Sequence, residues 1–319
     1  MAMVINCQMK LPRPTGDGIG KIEHNSNLAH FYAHFVRHTI DTSLEGMTIV
    51  YDGANGAASS VGPEILAGLG AKVININVNP DGLNINHHCG STHIEGLQVA
   101  VQQHNADLGI ANDGDADRCL LVDEKGQVLD GDQIMLLCAL KLKEEGKLKD
   151  DTVVGTVMSN IGFHKAAQEL GMKTFATAVG DRYVLEYMRE HNLSVGGEQS
   201  GHVIFLDHNT TGDGMLTAVQ VAALMKEKNQ PLSELAGIMT KYPQVLINVR
   251  VATKTGWEDN DIIKAAIVTA EGELGAEGRV LVRASGTEPL IRVMAEGPNQ
   301  EELQALCQEI ADIIGREQG

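Results

Sequence analysis

The segment Asn112-Asp113-Gly114-Asp115-Ala116-Asp117-Arg118 constrains this chain most, because it sets three carboxylates at alternate positions and ends them on a guanidinium. On a helix Asp115 would point about 200° away from Asp113, whereas a curled loop can aim all three at one point. The segment is therefore expected to be a loop. Short apolar runs flank it, Leu108-Gly109-Ile110-Ala111 and Cys119-Leu120-Leu121-Val122, and they predict buried strands. The acidic turn then falls where one strand hands over to the next, with Gly114 and Ala116 small enough for the backbone to wrap a cation. Three hard oxygen ligands suit Mg²⁺, which keeps its other octahedral positions for water or a phosphate oxygen. A solvated acidic turn is the competing account. An EF-hand fits less well: Glu124 falls at its last ligand position, but Arg118 replaces the required glycine and strands replace helices.

Around this loop the chain alternates strand and helix patterns. Residues 1–20, with Pro12, Pro14 and three glycines, read as an irregular lead. A helix over 22–40, a strand at 47–51, a helix over 64–69 opened by Pro63 and a strand at 72–76 predict a parallel βαβ unit. The loop 79–92, with His87, His88 and nearby His93, matches no closed metal-site spacing. Thr92 and Glu95 predict a capping box for the helix that follows, whose apolar face is Ile94, Leu97 and Val101. A hairpin turn at 124–126 and a helix over 132–145 then close a first domain, 21–148.

A second set of strands and helices predicts a domain over 149–241, and a third one over 242–319. Each carries one conspicuous loop. In the second, Gly196-Gly197-Glu198-Gln199-Ser200-Gly201-His202 joins two short strands, and Glu198, Ser200 and His202 at alternate positions can face one way. A carboxylate with a hydroxyl is suited to sugar hydroxyls, although a plain tight hairpin would look the same. In the third, Ala284-Ser285-Gly286-Thr287-Glu288-Pro289 offers backbone N–H groups and hydroxyls, with Arg283 and Arg292 beside it. That composition suits a phosphate monoester, and a simple hairpin is again the alternative. Asn299 with Glu302 predicts the cap of a final amphipathic helix.

Charge limits the partners. Lys+Arg 25 against Asp+Glu 42 gives −17, a field that repels nucleic acid and anionic membrane, so an anionic guest needs local arginines. The five cysteines are scattered without C-x-x-C spacing, which indicates neither a disulfide framework nor zinc and fits a reducing cytoplasm. The apolar run from Ile134 to Leu140 is too short to cross a bilayer.

Taken together, DGDADR at 113–118, GEQSGH at 197–202 and RASGTEP at 283–289 resemble the α-D-phosphohexomutases. GDRYV at 180–184, PDGLNIN at 80–86 and CGSTH at 89–93 resemble the bacterial branch that acts on glucosamine phosphates. The resemblance runs from about residue 11 to the end. It implies two consecutive three-layer α/β/α domains followed by a smaller α+β domain. It implies that Asp113, Asp115 and Asp117 hold Mg²⁺, with Arg118 beside the transferring phosphoryl group and His202 as a second catalytic candidate. Gly180, Asp181, Arg182, Glu198 and Ser200 would meet the sugar, and Arg283, Ser285, Gly286, Thr287 and Arg292 the phosphate that does not react. The implied reaction interconverts glucosamine 6-phosphate and glucosamine 1-phosphate through a bisphosphorylated intermediate, for cell-wall precursor (UDP-N-acetylglucosamine) synthesis. Phosphoryl transfer does need a group that neutralises developing charge and a second site for orientation. Family members also carry an N-terminal domain with a phosphorylated serine in a T-A-S-H-N-P-like loop, and no such loop occurs in these residues. The expectation is thus a chain inactive by itself that takes its phosphoryl donor from a separate domain. Two other outcomes are a non-catalytic hexose-phosphate binder and, less favoured, a hydrolase using metal-activated water.

Overall fold

The structure, a computed structural model, describes residues 13–23, 25, 27–285 and 288–319. Gly286 and Thr287 of the third loop, Cys7 and most of the expected lead lie outside them. The first sheet contains β1 (Thr48–Asp52), β2 (Lys72–Ile76), β3 (Leu108–Asn112), β4 (Cys119–Asp123) and β5 (Val128–Leu129), in the order β2-β1-β3-β4-β5. The first three are parallel, and β4 and β5 turn back antiparallel. Strand alternation sorts their side chains: Ile49, Tyr51, Ile110 and Leu121 join one core, while Val50, Ala111 and Val122 join another. Helices α1 (Asn27–Arg37) and α2 (Val61–Gly68) pack in the first of these cores, and α3 (Glu95–His104) fills the second.

Three helix starts differ from expectation, the first being α2, which begins at Val61 and takes Pro63 inside its first turn. Helix α1 begins late because Asn25 Oδ1 accepts from the Asn27 N–H at 3.0 Å and sets the start there. Thr92 caps nothing. Gly90, at φ +70°, begins a separate short turn over Gly90–Thr92, the Thr92 hydroxyl bonds back to the Cys89 carbonyl, and α3 starts only at Glu95.

The second sheet orders β6 (Thr152–Thr156), β7 (Lys173–Thr177), β8 (Val195–Gly197) and β9 (Val203–Phe205) as β7-β6-β8-β9. Helices α4 (Gly131–Glu144) and α5 (Ile161–Glu169) lie on one face and α6 (Asp181–Glu190) on the other, which completes a second α/β/α sandwich. Helix α7 (Gly214–Lys228) is apolar on every side and buried from Gly214 through Met225, as such a helix must be. It packs against β3, β4, α1 and α4, while α4 also packs against β6 and β8. The two sheets consequently share one hydrophobic core, closed below by α8 (Leu232–Leu235).

The last unit is built differently. Strands β10 (Gln244–Arg250), β11 (Arg279–Ala284) and β12 (Leu290–Glu296) form the antiparallel sheet β10-β12-β11, covered by α9 (Asp261–Leu274) and α10 (Gln300–Gln318). Asn299 caps α10 through Oδ1, as its sequence predicts, and Leu303, Cys307, Ile310 and Ile314 are buried beneath it. This core draws only on residues after 244 and is separate from the one shared by the two sandwiches. Among the described residues, no helix is long and apolar enough to cross a membrane.

Candidate functional site

The aspartate loop is closed by the pairing of its two strands, which sets Asn112 opposite Cys119. Asn112 Nδ2 donates to the Arg118 carbonyl at 2.7 Å, and the Tyr51 hydroxyl donates to Asn112 Oδ1 at 3.0 Å, so a buried side chain holds the neck of the loop. Ala116 sits at φ +61° and its N–H returns to the Asp113 carbonyl, which curls the backbone inward. The result brings one oxygen each of Asp113, Asp115 and Asp117 within 4.8 Å of one another. Asp113 is buried, Asp117 half-buried and Asp115 exposed. Burial first, then the Asp117 and Asp115 charges, raise the Asp113 carboxyl above its ordinary range, and Arg118 opposes them. Asp117 Oδ1 is buried without a hydrogen-bond partner, and Arg118 Nε stands 3.8 Å from it and 3.5 Å from Asp113 Oδ2. Converging hard oxygens with one such orphan fit a small divalent cation.

The 198–201 turn lies directly against this loop. Arg118 and His202 form an isolated antiparallel bridge, and the Cys119 N–H donates to the Gly201 carbonyl at 3.0 Å. Gly201 adopts φ +95°, and a Cβ there would collide with the Cys119 carbonyl. Gly201→Ala should therefore cost about 2 kcal/mol from the backbone conformation alone. A urea midpoint unchanged from the parent would show that the two loops are not locked this way. Glu198 is half-buried and its Oε1 accepts from the Gly180 N–H at 2.8 Å, while Ser200 is exposed at the tip.

His202 is 3% exposed. Its Nε2 accepts from the Gly212 N–H at 3.3 Å and lies 3.6 Å from Asp117 Oδ2 and 3.9 Å from Asp181 Oδ2. The ring thus sits between the aspartate loop and the start of α6, and because Nε2 accepts from Gly212 it donates to neither carboxylate. Gly212 is required because a Cβ would strike the imidazole. Arg182 turns away along its own helix, its Nε 2.7 Å from Glu186 Oε1.

The third loop tops the β11–β12 hairpin, where Arg283 and Arg292 are directly opposed in register. Like charges so placed repel, and an anion between them removes the penalty. Burial and then the Arg292 charge lower the Arg283 pKa, and Arg292 Nε is buried without a partner. Glu288 lies 3.6 Å from Arg292 and Lys254 Nζ donates to the Ser285 carbonyl at 2.7 Å. Among the described residues no hydrogen bond or ion pair joins this hairpin tip to the other two loops. The structure joins two of the three directly and carries the third on a separate unit.

A cavity of about 430 Å³ opens beside the aspartate loop, lined by Tyr32, Ala57, Asp115, Asp117, Thr211 and Asp213 among others. The sequence did not single out Tyr32 or Asp213. The Tyr32 hydroxyl donates to Asp213 Oδ1 at 2.7 Å, and burial followed by the Asp213 charge pushes the phenol far up. Asp213 also caps α7 by accepting from the Leu216 N–H, and an aspartate before that helix was the one local signal available.

Three family descriptions match the chain: "Phosphoglucomutase/phosphomannomutase, alpha/beta/alpha domain II" over 29–126, the corresponding domain III over 130–242, and the C-terminal domain over 246–313. Fold and loops together define a phosphohexomutase. Phosphoglucosamine mutase of Geobacillus kaustophilus is 51% identical over 319 residues, covering 100% of this chain and 71% of that protein. The Bacillus subtilis enzyme of the same name is 50% identical over 310 residues, 97% of this chain and 69% of its own. The chain belongs to the phosphoglucosamine mutase family. Its fold is also that of a Burkholderia thailandensis phosphoglucomutase/phosphomannomutase family protein, with a TM-score of 0.77 at 21% identity over 99% of this chain and 68% of the other. Aspergillus fumigatus N-acetylphosphoglucosamine mutase, solved with GlcNAc-6P and magnesium, gives 0.72 at 22% identity over 90% and 64%.

Proposed function

We propose that these residues bind glucosamine 6-phosphate and, with a phosphoserine-bearing domain, interconvert it with glucosamine 1-phosphate in the cytoplasm, for cell-wall precursor synthesis. The bridge between Arg118 and His202 is the observation that carries this, because it fuses the acidic loop and the Glu198–Ser200 turn into one wall. Asp113, Asp115 and Asp117 hold Mg²⁺, whose charge when bound there would offset the negative charge developing on the phosphoryl group. Arg118, already beside Asp113 and Asp117, meets the phosphoryl oxygens. Glu198 and Ser200 grip ring hydroxyls, with the Gly180 N–H setting the position of Glu198 and Asp181 beside them as a further sugar contact. Arg283, Ser285 and Arg292 hold the other phosphate and so fix which end of the sugar faces the acidic loop.

The phosphoryl donor comes from the additional domain. Helix α1 leaves Leu28 and Phe31 63% and 67% exposed on the same helix as Tyr32, which lines the cavity, and such an apolar flank suits a docked domain. The chain is to be mixed with glucosamine 6-phosphate, a hexose bisphosphate primer and Mg²⁺, with and without a separately prepared phosphoserine domain. Turnover is expected only in the mixture. Turnover by these 319 residues alone, with no phosphorylated serine detectable by mass, would overturn the need for that domain.

A further inference from the structure

Among the described residues the unit bearing Arg283 and Arg292 shares no apolar core with the two sandwiches, so its orientation rests largely on polar contacts. They centre on Glu296, which is 0% exposed at the base of the hairpin, directly opposite Arg279. Its carboxylate accepts from Arg279 Nε at 2.7 Å, Gln244 Nε2 at 3.0 Å, Asn160 Nδ2 at 3.3 Å and the Ile161 N–H at 3.0 Å. The last of these places the carboxylate on the N-terminus of α5, where the helix dipole favours it. Arg279 Nη2 reaches the Ser159 carbonyl at 2.5 Å.

Asn160 then ties the junction to the second loop. Its amide side chain exchanges two hydrogen bonds with the Tyr242 backbone, each 3.0 Å, and its own N–H donates to Asp132 Oδ2 at 2.7 Å. Asp132 lies in the first turn of α4, where the adjacent Gly131 N–H donates to the Gln199 carbonyl at 2.9 Å. A hydrogen-bonded path therefore runs from the 198–201 turn to the foot of the hairpin. From there Arg283 and Arg292 are four strand positions away, about 13 Å.

A buried charge of this kind adds little net stability compared with apolar packing, but several donors converging on it fix an angle that non-directional contacts would leave loose. We propose that Asn160 and Glu296 are positioning residues that set the tilt of the β11–β12 hairpin, and with it the separation of its arginine pair from the aspartate loop. The use of that separation rests on the function proposed above; the geometry does not.

Spin labels at Glu190→Cys on α6 and Asp261→Cys on α9, both exposed, report the angle between the units in the full chain. The parent should give one narrow distance distribution in a double electron–electron resonance measurement. Glu296→Gln and Asn160→Ala should each broaden or displace it, while Lys173→Ala, which removes an exposed pair with Asp150 at 2.9 Å and touches no junction residue, should leave it unchanged. Unaltered distributions in both junction variants, with circular dichroism showing them folded, would overturn the proposal. In calorimetry with Mg²⁺ present, Glu296→Gln should weaken glucosamine 6-phosphate about tenfold and leave inorganic phosphate binding unaffected, because misplacement penalises only a guest that spans both units. Equal loss of both ligands would mean local damage at the arginines and would also overturn it. A parent that binds no sugar phosphate would defeat the proposed function, while the distance measurement would still decide the positioning role.

Discussion

Asp115→Asn should weaken metal binding by at least about 100-fold while making the metal-free protein slightly more stable. In the free loop three carboxylates face one another within 4.8 Å, and their repulsion raises the Asp113 carboxyl together with its burial. Removing the charge of exposed Asp115 relieves part of that repulsion and disturbs no buried contact. For a cation the same substitution deletes one of three anionic ligands, and the affinity should fall by at least about 100-fold, the upper end of what loss of a mere outer-shell partner costs. Linkage makes the two effects separable. At a Mg²⁺ concentration about 100 times the parent's Kd, the parent gains about 2.7 kcal/mol of stability, and the variant should gain less than about 0.5 kcal/mol at that concentration. Urea unfolding with and without Mg²⁺ measures both. A variant stabilised by Mg²⁺ as much as the parent would remove the aspartate loop as the cation site, and with it the assignment of Arg118 to the phosphoryl group.

Much of this site was legible because its determinants are local. Alternate aspartates between two short apolar runs favoured a loop between strands over an EF-hand loop between helices, and β3 and β4 fall where those runs lie. The 198–201 turn was recognisable from its glycines, and the opposed Arg283 and Arg292 from their places either side of a turn. What stayed hidden is long-range. Glu296 ends an ordinary strand, Asn160 looks like a simple helix start and Asp132 like one more acid in a first turn, yet they meet across more than a hundred residues of sequence. His202 was visible as a candidate but not its burial, which depends on Gly212 passing over the ring. Thr92 misled because local propensity for a cap was overridden by the turn at Gly90, whose left-handed conformation no nearby pattern announces.

The larger pH effect should come from Asp132, away from the acidic loop. Its carboxyl is pushed up to about 7, first by burial and then by the Asp130 charge, with Glu296 adding a smaller push; the Asn160 N–H and the Ser159 hydroxyl pull the other way. The cations nearby are spent on those neighbours, Lys241 on Asp130 at 2.5 Å and Arg279 on Glu296 at 2.7 Å. Asp132 Oδ1 is itself buried with no partner, so ionising the group in the folded protein is costly. The sign follows from linkage. A carboxyl with a raised folded pKa keeps its proton in the native state over a range where the unfolded chain has lost it. Its contribution is therefore fully present below about pH 4 and is lost as pH rises towards 7, with a total on the order of 4 kcal/mol at 1.36 kcal/mol per pKa unit. Asp132→Asn carries no proton to lose, and its amide oxygen can still accept from the Asn160 N–H. Between about pH 5 and pH 8 the parent should lose about 3 kcal/mol relative to this variant, read from urea midpoints across the range. Parallel pH profiles would mean that Asp132 is hydrated or otherwise paired in solution. The α4 end of the path to Glu296 would then be looser than its hydrogen bonds indicate.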